Sequence, residues 1–235
     1  MFQRGLDYLR QFDRNLWALS FGWFVASLGF AASMPFISIY FHSRFGMSIT
    51  QIGVIFGVLA VVRCVAQAVG GEVSDRTSRR SMLVQTQVFR AVAFTMLALT
   101  IYADSGFWLV ATGLLLATIF GAIFQPVANA TVSDILPAEK RLDGFAITRS
   151  AGNLGWAVGP AIGGFLATAS YGLLFLISAG LTFLSGLALW ALMSTPPSRP
   201  VRIVSACPIL PRSKMIPFWP DTRCSCSSFT WLWPS

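Results

Sequence analysis

Charge is what this chain has least of. Only 11% of its 235 residues are Asp, Glu, Lys or Arg, against roughly 25% in a water-soluble domain. Acids are especially scarce, and all nine (Asp7, Asp13, Glu72, Asp75, Asp104, Asp134, Glu139, Asp143 and Asp221) fall in expected loops, helix ends or tails. No carboxylate is therefore placed to act as a proton relay deep inside an apolar segment. The single histidine, His42, has no cysteine or acid at ligand spacing, and Cys224 and Cys226 form C-x-C without a second pair. No metal site and no cofactor are expected. Phosphate-binding loops, zinc spacings and nucleophile elbows are missing as well, so an enzyme reading has no residues to stand on.

Apolar residues are abundant instead: 55% of the chain is hydrophobic, and Phe alone appears 20 times. This composition specifies a polytopic membrane protein whose first partner is the lipid bilayer. The net charge of +8 does not indicate nucleic acid, because the basic residues alternate with apolar segments rather than forming one face.

A bilayer core about 30 Å thick needs about 20 apolar residues per helix. Six windows satisfy this: 15–41, 49–72, 81–102, 106–131, 144–168 and 171–193. No alternating barrel pattern is visible, so the expected fold is all-α. Residues 1–14 have no cleavage pattern and read as a retained tail, 15–195 as a six-helix bundle, and 196–235 as an irregular tail. When six spans are threaded, Arg4, Arg10, Arg14, Arg76, Arg79, Arg80, Lys140, Arg141, Arg199 and Arg202 fall on one side, and only Arg44 lies in the opposite loops. The positive-inside rule then makes both termini cytoplasmic, in a cell (inner or plasma) membrane.

Within the spans, Gly53, Gly57, Ala60, Cys64, Ala68 and Gly71 form a small-residue stripe on the second helix, of the kind that lets membrane helices approach closely. Arg63 and Gln67 sit beside it, and Arg90 lies at similar depth on the antiparallel third helix. Guanidinium at that depth is costly. Either these residues line a water-filled solute or ion pathway, or they bond to neighbouring carbonyls. Gln125 and Asn129, flanking Pro126, either join that cavity or hold a kink; Tyr40, Asn153 and Trp156 are further candidate solute contacts.

The chain is organised around Gly70 to Arg80, GGEVSDRTSRR, which reads as a tight loop between the second and third helices. Gly71, Asp75, Arg76, Arg79 and Arg80 stand here in a pattern that resembles the loop signature of the major facilitator superfamily, G-x-L-A-D-R-x-G-R-R. Ser78 departs from it by replacing a turn glycine. Gly155, Gly159, Pro160, Gly163 and Gly164 are similar to the G-x-x-x-G-P-x-x-G-G element in the fifth helix of that superfamily's antiporter branches. Ser133 to Pro137 with Arg141 resembles its connection between helices four and five. Drug antiporters usually carry an arginine before a glycine in helix four; alignment on Gly121 puts Ala117 there.

The resemblance implies six transmembrane helices forming one half of such a transporter, a 3+3 inverted repeat in a drug- or efflux-permease-like branch. It also implies alternating access for a small solute, with a coupling ion as a possible second ligand. Asp75 would meet a helix terminus of the other half, and Arg79 would pair with Asp134, as parts of a gate latch. The small-residue faces of helices two and five resemble half-to-half contacts, to be met by a second half or by a homodimer. The alternative is a non-transporting remnant, or a regulatory subunit that pairs with a full-length relative.

The tail adds an expectation of its own. Residues 194–235 hold eight of the twelve prolines and three of the four cysteines, without periodicity. Combining each codon's third base with the next two turns Met215 to Pro220 into Asp, then Ser, Pro or Thr, then an aliphatic residue or Phe, then Leu and Ala. Codons for Cys, Ser, Phe and Trp begin with T, and T in the middle position of a codon specifies an apolar residue. A tail rich in Cys, Ser and Trp is therefore what a membrane helix looks like one frame off, and the chain is expected to be a frameshifted, truncated transporter.

Overall fold

The structure, a computed structural model, describes residues 11–194, with the side chains of Asp75 and Arg76 excepted. The irregular tail at 196–235 and most of the 1–14 segment lie outside the described residues. Among the described residues all regular structure is helical: α1 (Arg14–Phe45), α2 (Ile49–Arg76), α3 (Arg79–Tyr102), α4 (Phe107–Ile135), a 3-10 turn at Ala138–Lys140, α5 (Arg141–Ala169) and α6 (Tyr171–Leu192). The connections are short, so successive helices run antiparallel. Gly46 ends α1 at φ 63°, a left-handed conformation that glycine adopts freely, and its N–H reaches the His42 carbonyl at 3.1 Å. Ser48 then opens α2 with a capping box: its hydroxyl accepts from the Gln51 N–H at 3.3 Å, and Gln51 Oε1 accepts from the Ser48 N–H at 2.9 Å.

Five helices, α1 to α4 and α6, are each long and apolar enough to cross a membrane. α5 is diluted by glycines and by Arg149 and Asn153, yet its 29 residues extend about 43 Å at 1.5 Å per residue, and it lies along α1. Interior hydroxyls are satisfied within their own helices; Ser20, Thr118, Thr131 and Ser178 each donate to the carbonyl four residues back at 2.7–3.0 Å. This removes the penalty of an unpaired polar group in hydrocarbon. Ser185 instead donates across helices to the Gly22 carbonyl at 2.7 Å and accepts from Gln87 Nε2 at 3.0 Å, joining α6, α1 and α3.

The packing has an internal symmetry. α1 lies against α5 and α6, α4 lies against α2 and α3, and α3 meets α6. Exchanging α1 with α4, α2 with α5 and α3 with α6 returns the same set of neighbours. Because the partners in each exchange stand three positions apart in a chain of alternating helices, the two triplets run in opposite senses, which is the 3+3 inverted repeat.

The triplets are packed unequally. Gly152, Gly155, Gly159 and Gly163 are buried along one stripe of α5, and α1 presses directly onto it. A Cβ on Gly155 would stand 2.7 Å from the Phe24 carbonyl oxygen, and one on Gly159 would stand 2.6 Å from Ala31 Cβ. On α2, the counterpart, a Cβ on Gly70 would stand 3.0 Å from Ile123 Cγ2 of α4, but Gly53, Gly57 and Gly71 have nothing within 4 Å of the added position. Val54, Val58, Val61, Val65 and Val69 are exposed along the same helix.

Two expectations are thereby corrected. The glycine face of α5 is spent on α1 inside the bundle, because only glycine permits that backbone approach; it is not available as a half-to-half surface. The stretch from Gly70 to Arg80 is also mostly helix rather than loop. α2 continues through Arg76, and only Thr77 and Ser78 separate it from α3. Nothing in EVSDR breaks a helix, and Ser78 sits in extended backbone at φ −64° and ψ 121°, so no turn glycine is needed there. α1 and α4 likewise overrun their expected ends, to Phe45 and Ile135.

Candidate functional site

Five helices converge on a cavity of about 80 Å³, enough for several waters or a small polar group. α1 supplies Trp23, Ser27 and Phe30, α2 supplies Arg63, and α3 supplies Arg90. α4 adds Thr118, Gly121 and Gln125, and α5 adds Trp156. Both arginines lie near the middle of their helices, and no acid among the described residues lines the cavity. The aromatic wall is held edge to face: Trp23 stands 5.8 Å from Phe124, and Phe30 stands 5.7 Å from Trp156. Arg149 stacks over the Trp23 ring at 5.5 Å, which brings a third guanidinium to the same wall.

Arg90 is only 6% exposed. Its guanidinium lies 4.6 Å from the centre of the Phe30 ring and 5.6 Å from that of Phe94, a cation–π arrangement. The absence of a side chain at Gly121 makes room for it, since a Cβ there would come within 2.8 Å of Arg90 Cζ. Next to the cavity, Gln67 Nε2 donates to Gln125 Oε1 at 3.2 Å and couples α2 to α4.

Of the residues expected to form a pathway, Arg63, Arg90 and Gln125 share this cavity, and Gln67 is bonded to one of them. Asn129 is corrected: it lies one turn beyond Gln125 on α4, outside the lining, and its carbonyl accepts from Ser133 Oγ at 3.4 Å. Trp23, Phe30, Thr118 and Gly121 escaped sequence reasoning. Gly121 entered the sequence reading only as an alignment anchor in helix four; the signal for its place in the cavity was its position on α4, opposite a deep arginine on α3.

A second polar cluster joins the ends of α2, α3 and α4. Arg79 Nε donates to Asp134 Oδ2 at 3.1 Å, and another nitrogen of the same guanidinium donates to Ser74 Oγ. Arg80 donates to the Trp190 carbonyl of α6. Gly71 belongs to α2, as do Asp75 and Arg76, whose side chains lie outside the described residues. At the opposite end of the bundle, Arg44 Nε donates to Asp104 Oδ1 at 2.6 Å. The helix-five residues Gly155, Gly159 and Gly163 meet α1, whereas Gly164 has only Phe36 near it, at 3.8 Å, and Pro160 is exposed.

A model of the family described as Major Facilitator Superfamily matches residues 19–232. Among curated proteins, the chain is similar to a Na(+), Li(+), K(+)/H(+) antiporter of Planococcus maritimus, 29% identical over 67% of this chain and 37% of that one. It is also similar to the multidrug resistance protein MdtG of Proteus mirabilis, 31% identical over 73% and 42%, and to MdtH of Photorhabdus laumondii, 26% identical over 73% and 41%. The chain thus spans about two fifths of the length of these relatives.

Proposed function

The chain belongs to the major facilitator superfamily, and on that footing we propose that it is one half of a multi-pass secondary transporter that moves a small solute across the plasma membrane by alternating access. The observation that carries this reading is the polar cavity at mid-helix depth, walled by both triplets of the repeat. Solute efflux is the direction favoured by the likeness to proteins named for multidrug resistance. Coupling to an ion follows from the relative named as a cation/proton antiporter. The carboxylate that would carry the proton comes from outside this cavity, because no acid among the described residues lines it.

Arg79 and Asp134 form the proposed latch within this half, with Asp75 reaching a helix terminus of the opposing one. The termini lie on the cytoplasmic side. A second half, or a second copy of this chain, covers the bare face of α2 and completes the pathway. The apolar bias of the shifted reading frame supports residues 196–235 being a frameshifted continuation of the transporter.

Counterflow in proteoliposomes tests the reading, using the chain alone and the chain co-reconstituted with a complementary six-helix half. Saturable solute exchange in either preparation is expected; none in both would overturn it. The bare stripe of α2 favours a second reading, a subunit that pairs with a full-length relative without transporting. That reading predicts stable co-purification with the relative and no flux of its own.

A further inference from the structure

Arg90 is placed as a cation waiting for an anion. It is buried, its Nε has no hydrogen-bond partner, and its guanidinium carbon lies over the rings of Phe30 and Phe94. A ring attracts the cation through its quadrupole but supplies no oxygen acceptor for the guanidinium N–H groups. Arg63 lines the same cavity and adds a second positive charge instead of compensating the first. A buried, unpaired charge is among the most destabilising features a membrane interior can hold. Arg90 is such a charge, and with the exposed Arg63 beside it and no carboxylate of the described residues in the lining, the cavity calls for a counter-charge from elsewhere.

We infer that the transported solute is an amphipathic organic anion whose oxyanion group (carboxylate, phosphate or sulfonate) sits between Arg63 and Arg90, with its apolar body against Trp23, Phe30 and Trp156. This deepens the carrier reading and rests on it. The planar fork of arginine matches the two oxygens of such a group, so each guanidinium can donate two parallel hydrogen bonds. The cavity volume of about 80 Å³ accommodates the head group, and the body extends along the aromatic wall toward Trp156, which is 48% exposed. Gln125 offers an amide on the same wall. A free inorganic cation is disfavoured here: both charged side chains repel it, and no acid among the described residues lines the cavity to hold it.

The purified full chain, held in phosphatidylcholine nanodiscs at pH 7, tests the assignment by equilibrium binding. The probes are 1-naphthoate, its uncharged analogue 1-naphthamide, and inorganic phosphate. Saturable naphthoate binding is expected, at least tenfold tighter than naphthamide and also tighter than phosphate, which lacks the ring. Arg63→Gln and Arg90→Gln should each weaken naphthoate at least tenfold and leave naphthamide unchanged. Arg63 is exposed on the described bundle, so its variant decides the matter even if Arg90→Gln fails to fold. Equal affinity for naphthoate and naphthamide, undiminished binding in Arg63→Gln, or no binding at all would overturn the proposal. Thermal stabilisation by added phosphatidylglycerol without any by naphthoate would also overturn it, assigning the site to lipid head groups. Binding needs no transport, so solute flux with no preference for anions would sink this inference and leave the carrier reading standing.

Discussion

Arg79, at the start of α3, holds Asp134, near the end of α4, through an Nε to Oδ2 hydrogen bond of 3.1 Å. The side chains are 20% and 31% exposed, so the pair is neither fully screened nor fully desolvated. A partly buried charge-assisted bond of this kind contributes about 1–2 kcal/mol. A double-mutant cycle with Arg79→Gln and Asp134→Asn, read by chemical unfolding in mild detergent, should return a coupling of about that size. In a chain that transports, Asp134→Asn and Asp75→Asn should each lower the exchange rate by an order of magnitude or more without abolishing expression. Unchanged exchange in both would remove the latch from the mechanism.

The contact between α5 and α1 tolerates no side chain where the backbones cross. Gly155→Val and Gly159→Val should each destabilise the bundle by about 2–4 kcal/mol, since neither backbone can give way as a flexible side-chain end would. Gly57→Val on α2 meets nothing within 4 Å and should leave thermal stability of the isolated chain within about 0.5 kcal/mol. Detergent-resistant melting curves of the three variants check this contrast. If α2 is covered by a second half, Gly57→Val should also reduce co-purification with that half.

Gly121 sets the position of the Arg90 guanidinium. Gly121→Ala places a methyl within 2.8 Å of Cζ, and the flexible arginine can retreat. Expression and melting temperature should therefore stay close to wild type while 1-naphthoate affinity falls several-fold, as measured in the same nanodiscs. A variant that melts early but binds normally would show that Gly121 serves helix packing alone.

Genomic sequence downstream of the codon for Lys214, read in the frame that starts at that codon's third base, should run on through further apolar spans. Immediate stop codons in that frame would end the frameshift proposal.

How far these features were legible from the amino acids depends on where each one is encoded. Span number and helical class could be read, because lipid forces long apolar runs that composition and loop charge expose directly; the inverted repeat came only from the family resemblance. Arg63 and Arg90 could be placed at one depth by counting residues, and the pairing of Arg79 with Asp134 was carried by the family resemblance. The direction in which a small-residue stripe faces could not be read. α2 and α5 bear similar stripes, yet one is bare and the other lies under α1, and that choice belongs to the partner helix. The aromatic wall was hidden for a related reason: with 20 phenylalanines in the chain, Phe30 carries no mark that separates it from the rest. The extension of α2 through Arg76 was missed because charges were read as loop, although Glu, Arg and Ser are all compatible with a helix end.

The deep seating of α1 on α5 also constrains how the protein can be made. α1 ends at Phe45, and the helix that fills its groove does not begin until Arg141. At a synthesis rate of about 5–20 residues per second, the first helix waits roughly 5–20 s in the membrane before its principal partner exists. During that interval the face of α1 that will meet α5 is turned to lipid or the insertion machinery, with no close hold from α2. Ribosome stalling between α4 and α5 should therefore trap α1 in a state open to crosslinking with the translocon.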